Sequence, residues 1–100
     1  MPYINEKARL EIDIEIKNIV NFLTENKCLS DEEYISILGK INYMFTRILC
    51  QTMGKPSYAK IAMITGVLEN IKQEFYRRLA SKYEDQKIVS HGDIPEYKKL

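Results

Sequence analysis

The sequence predicts an all-α protein with three main helices, over about 14–26, 31–53 and 58–88. A short N-terminal helical turn precedes them, and the whole packs as an oligomeric helical bundle. Three observations predict this. Apolar residues recur at spacings of three and four through most of the chain. Ser30 and Ser57 stand where helix N-caps are needed. The third helix is too long for a domain of this size to cover by itself.

The first helix is the least plain. Residues 10–17 read LEIDIEIK, with Leu10, Ile12, Ile14 and Ile16 at every second position, the pattern of a half-buried strand. A strand needs a partner to satisfy its amides, yet no other segment alternates for long and no Asn-Gly or Asp-Gly hairpin turn exists. Beyond Asp13 the apolar residues fall at Ile16, Ile19, Val20 and Leu23, which is a helical stripe. Asp13 therefore serves as the N-cap of a helix over 14–26, with Glu15 in its first turn where the helix dipole favours an anion. Asn5 caps a short turn over 6–10.

The second helix opens with Ser30-Asp31-Glu32-Glu33, a capping box in which serine and Glu33 satisfy each other's amides. Its stripe is Tyr34, Ile35, Leu38, Ile41, Phe45, Ile48 and Leu49. Gly54 closes it as a left-handed cap and Pro56 prevents continuation. The third helix starts after Ser57 with the stripe Ile61, Ile64, Leu68, Ile71, Phe75 and Leu79. It runs unbroken to about 88, and Gly92 stops it. Residues 92–100 form an extended tail on a single helical domain of residues 1–100.

Size and charge bound the rest. One hundred residues make one domain with a thin core. The 15 basic and 14 acidic residues leave a net charge of +1, too little to draw the chain onto nucleic acid or a membrane. Cys28 and Cys50 belong to no CxxC pair. They read as buried free thiols of a reducing compartment, with a lone disulfide as the alternative. No leader is evident, and the longest apolar run, IAMITGVL, is too short for a membrane span. The expectation is an intracellular, soluble protein.

A helix of about 30 residues is about 45 Å long, whereas a compact chain of this size has a radius of gyration of about 13 Å. One end must project unless neighbours cover it. The same helix sets Ala59, Ala62 and Gly66 in a row of small residues that admits a second helix closely. Gly66 costs about 1 kcal/mol against alanine, which calls for a packing reason. That reason is either helix two of the same chain or a partner chain. The helix length favours the partner, so these three residues form the expected oligomer interface.

No catalytic constellation is present, which argues against an enzyme. His91, the only histidine, sits beside a helix end and reads as a complement to the helix dipole. Cys28, Cys50 and His91 lack metal-ligand spacing. Gly39, Gly54, Gly66 and Gly92 are scattered and form no phosphate loop. No cofactor and no metal are implied.

The suggestive cluster is EFYRRLASKYEDQK, residues 74–87. It interleaves Tyr76 and Tyr83 with Arg77, Arg78, Lys82 and Lys87. In an unbroken α-helix Tyr76, Tyr83 and Lys87 share a face, which Lys72 joins upstream. Helix two offers Lys40, Tyr43 and Arg47 at offsets of three and four. Guanidinium groups hold phosphate, and tyrosine stacks on bases. Tyr43, Arg47, Lys72, Tyr76, Arg77, Arg78, Lys82 and Tyr83 are thus candidate ligand-binding residues. The competing reading is a solvated face with internal ion pairs, beginning with Glu74 and Arg78.

MPYI at the start, GKINYMFTRIL in the middle and SYAKIAMITGVLENIKQEFYRRLASKYEDQKIVSHGD towards the end resemble an uncharacterised family of small phage and prophage proteins. The matching residues are Asn42, Tyr43, Thr46, Arg47, Tyr76, Arg77, Arg78, Tyr83, Glu84, Asp85, Gly92 and Asp93. His91 departs from the family's asparagine, and Ile12–Ile14 replaces a Leu-Asp-Pro-like start. The resemblance implies a viral context, hence the cytoplasm of a bacterial host, and gives no activity. Small helical phage proteins of other families often bind rather than catalyse, and some capture host nucleotide immune signals between subunits. The leading expectation is therefore a non-enzymatic anti-defence sponge that sequesters an anionic nucleotide ligand. The alternative is a module that grips a host or phage protein and takes no small ligand. Nucleic-acid binding is weaker, because helix three carries acids among its bases.

Overall fold

The computed structural model describes residues 4–99. It is 83% helical, and no strand occurs among the described residues. The helices are α1 (Glu6–Thr24), α2 (Asp31–Met53), α3 (Tyr58–Phe75), α4 (Ser81–His91) and the short α5 (Pro95–Lys98). A π-helical segment, Tyr76–Ala80, joins α3 to α4 without a break. The chain divides into two units, one ending at Gly54 and one beginning at Lys55.

In the first unit the LEIDIEIK stretch is helical throughout. Asn5, not Asp13, is the N-cap: its Oδ1 accepts from the Ala8 N–H at 2.9 Å. The expected leading turn and the expected helix over 14–26 are one helix that begins at Glu6. Alternate residues lie about 200° apart around an α-helix, so Leu10, Ile12, Ile14 and Ile16 are spread over its surface and all four are exposed. The helix ends where Glu25 and Asn26 adopt positive φ, and the Glu25 N–H bonds back to the Asn21 carbonyl.

The capping box of α2 forms as the sequence predicts. Ser30 Oγ accepts from the Glu33 N–H at 3.2 Å, and Glu33 Oε1 accepts from the Ser30 N–H at 3.1 Å. Glu33 Oε2 also meets Lys27 Nζ at 2.6 Å, so the carboxylate ties the connecting loop to the helix start. Its pKa is held down to about 2, first by the hydrogen bond from Lys27 and then by those from Ser30. Gly54 takes φ +66° with ψ −121°, so it closes the helix at positive φ but outside the left-handed helical region.

The core lies on one edge of the expected stripe. Ile37 is the one buried apolar residue described, 8% exposed. Ile41 and Met44, four and seven residues on, are half-buried, as are Ile19 and Leu23 of α1 and Leu29 between the helices. Tyr34, Ile35, Leu38, Phe45 and Ile48 are exposed. The apolar residues of α2 span a wide arc; its Ile37–Met44 edge is covered, and Leu49 and Met53 further along are half-buried as well. Cys28 and Cys50 are free but exposed, not buried as expected.

In the second unit Ser57 caps α3, its Oγ accepting from the Lys60 N–H at 3.2 Å. The expected single α-helix over 58–88 instead passes through the π segment and reaches His91. The Ser81 N–H bonds to the Tyr76 carbonyl, five residues back, where an α-helix would use the residue four back. Gly92, at φ +85°, ends the helix. The expected extended tail contains α5, with Pro95 preset for the first helical position and Ile94 extended before it. No described residue of this unit is buried, and among its apolar side chains only Ile64 and Ala80 are half-buried.

Candidate functional site

The candidate ligand residues fall in both units. In the first, Arg47 follows Tyr43 by one turn of α2. Its Nη1 donates to Tyr43 Oη at 2.7 Å, and its guanidinium carbon lies 5.6 Å from the ring centroid. The pair holds the guanidinium against an aromatic face and fixes where its remaining donors lie.

In the second unit Lys72 stands on α3, Tyr76, Arg77 and Arg78 on the π segment, and Lys82 and Tyr83 on α4. Tyr76 Oη donates to both carboxylate oxygens of Glu84, at 3.1 and 3.3 Å. That bond raises the phenol's pKa, because ionising the ring would place two anions together. Arg78 Nη1 pairs with Glu74 Oε1 at 3.3 Å, the ion pair the sequence offers. Lys87 Nζ lies 5.3 Å from the centroid of the Tyr83 ring. Lys72, Arg77 and Lys82 make no side-chain hydrogen bond or ion pair with the described residues.

The π segment changes which residues share a face. In a straight α-helix residues seven apart are nearly aligned, and residues eight apart are turned by about 80°. One added residue within the π turn removes that offset, which lets Tyr76 reach Glu84 eight residues on. The same offset turns Tyr83 away from Tyr76, so the expected common face of Tyr76, Tyr83 and Lys87 divides. Tyr83 stays with Lys87, and Tyr76 pairs with Glu84. Glu84 is the residue sequence reasoning missed here. The signal was the spacing from Phe75 to Tyr83, eight residues, which drifts off the line in a straight α-helix.

Of the expected interface residues, Gly66 faces open space: a Cβ added there would meet nothing within 4 Å. Ala59 and Ala62 are exposed beside it. Among the described residues no group of three or more His, Cys, Asp or Glu side chains could hold a metal ion. No helix among them is long and apolar enough to cross a membrane.

The chain is all-α with exposed apolar helix faces, and it carries a tyrosine–arginine pair in its first unit and a tyrosine–lysine pair in its second. Residues 1–94 match the family model described as Domain of unknown function (DUF6899), and the chain belongs to that family. No curated protein and no solved structure matches it.

Proposed function

We propose that the chain is a non-enzymatic binding protein that works through its exposed helix faces, associating first with copies of itself. The carrying observation is the near absence of a core: one described apolar residue is buried, while Phe22, Phe45, Ile71, Phe75 and Leu79 are all largely exposed. Exposed apolar surface on this scale is characteristic of an interface. Sedimentation equilibrium tests the reading, with an assembly larger than one chain at micromolar concentration as the expected outcome. A monomer at all concentrations would sink it.

A second reading, sequestration of an anionic nucleotide-type ligand, is favoured by the unpaired Lys72, Arg77 and Lys82 beside Tyr76 and Tyr83. It suits the viral context and the bacterial cytoplasm that the resemblance to phage proteins implies. Such a ligand raises the melting temperature of the assembly, and Arg77→Ala or Tyr76→Ala abolishes the rise without loss of helicity. A panel of cyclic and ADP-ribose-type nucleotides that leaves the melting curve unmoved would end this reading. The first reading would then extend to a host or phage protein as the partner.

A further inference from the structure

We infer that the continuous helix of residues 58–91 pairs antiparallel with the same helix of a second copy, along a seam that the π segment keeps in line. The inference rests on the reading that the chain acts through its exposed helix faces, and it names the face, the partner and the orientation.

The seam begins as Ile61, Ile64, Leu68, Ile71 and Phe75, at intervals of three, four, three and four. That is a heptad pattern with two apolar positions per repeat. Continued strictly, it would next fall on Arg78 and Lys82, both charged. Leu79 and Tyr83 come one residue late. In an unbroken α-helix the drift from Phe75 would be about 40° at Leu79 and about 80° at Tyr83, which takes the tyrosine off the seam. The π segment lies between Phe75 and Ser81 and holds one residue more than the α-turn it replaces. Leu79 and Tyr83 therefore return to the line of Leu68, Ile71 and Phe75. The Tyr76–Glu84 bond across eight residues records the same offset on another side of the helix.

A lone helix gains nothing from aligning such a seam, and π turns are rare because their geometry is less favourable. A partner lying along the stretch from Ile71 to Tyr83 supplies the gain. The seam is open to receive one: Leu68 is 42% exposed, Phe75 64% and Tyr83 60%.

Charge complementarity selects a second copy and its direction. The positions flanking the seam are Val67, Glu74, Lys82 and Val89 on one side and Thr65, Lys72, Ala80 and Lys87 on the other. A parallel pair sets Lys82 against the partner's Lys87. An antiparallel pair with its two-fold axis beside Arg77 sets Glu74 against the partner's Lys82, twice by symmetry. It also sets Val67 against the partner's Val89. Along the seam Phe75 meets the partner's Leu79, and Ile71 meets the partner's Tyr83. Glu74 keeps its bond to Arg78 and accepts a second cation.

Charge reversal in the full chain reads the direction by its sign. Lys82→Glu, with helicity checked by circular dichroism, weakens self-association about tenfold in sedimentation equilibrium, as does Glu74→Lys. The double exchange Glu74→Lys/Lys82→Glu restores it. Tighter association of Lys82→Glu would overturn the antiparallel pairing in favour of a parallel one. Unchanged association of both single variants would place the contact on another face, which overturns the seam but leaves self-association standing. A monomeric wild type would remove both. As an independent measurement, Glu74→Cys/Lys82→Cys in a Cys28→Ser/Cys50→Ser background oxidises to a covalent dimer, while Glu74→Cys alone does not. The paired 74 positions stand about 12 Å apart along the axis, beyond the roughly 7 Å that a disulfide spans. Efficient bridging by Glu74→Cys alone would overturn the orientation.

Discussion

Glu33 shows how much one side chain does at a helix start. Its two carboxylate oxygens serve different masters: Oε1 closes the capping box on Ser30, and Oε2 holds Lys27 of the connecting loop. Because the folded pKa is lowered to about 2 from 4.5, the contribution is fully present above pH 4.5 and is lost as pH falls towards 2. An NMR titration of the Glu33 carboxyl in the folded protein is expected to give a midpoint near the lower value. Glu33→Gln abolishes the acid-dependent part of the helicity lost over that window. Ser30→Ala removes the cap and costs about 1 kcal/mol in chemical denaturation. The capping box, including the reciprocal bonds, was legible in the sequence because it is local. Lys27 was not, because nothing in the spacing says that the loop folds back on the carboxylate.

At the scale of elements, the bounds of α2 could be read from its caps and its apolar period, and the interruption of the last long helix could not. Propensity runs smoothly through Tyr-Arg-Arg-Leu-Ala, so no residue there announces a π turn. Only the drift of the stripe at Tyr83, eight residues after Phe75, marks it, and a drift is equally consistent with a stripe that ends. The LEIDIEIK stretch misled for a related reason. Its alternation spread apolar residues around a helix that Asn5 had already capped, so Asp13 had no orphan amides to satisfy. Two predictions belong here. Deleting Arg78 lets the segment close into α-helix while Tyr76 and Glu84 stay aligned, now seven apart. In an absorbance titration the raised phenol pKa of Tyr76 is therefore expected to persist in that variant and to be lost in Glu84→Gln. Gly66→Ala stabilises the helix by about 0.5–1 kcal/mol if its face is open. A loss of stability or of assembly would instead place a close-packed helix against Ala59, Ala62 and Gly66.

For the whole molecule, the sequence indicates the all-α class and, through the length of the last helix, that one chain leaves much of itself uncovered. It does not show which positions of α2 are covered. Ile37 was not part of the expected stripe, and a broad apolar arc gives no sign of which part meets a neighbour. If copies of the chain supply the missing cover, the melting temperature rises with protein concentration, because only the folded state binds. A melting temperature constant over a hundredfold range of concentration would contradict that. The chain has seven tyrosines and no tryptophan, so its ultraviolet emission comes from phenols alone. An excited phenol is a far stronger acid than one in its ground state, and Tyr76 already points its proton at the Glu84 carboxylate. Light absorbed there passes the proton across, and a red-shifted tyrosinate band reports directly on whether the two side chains are joined.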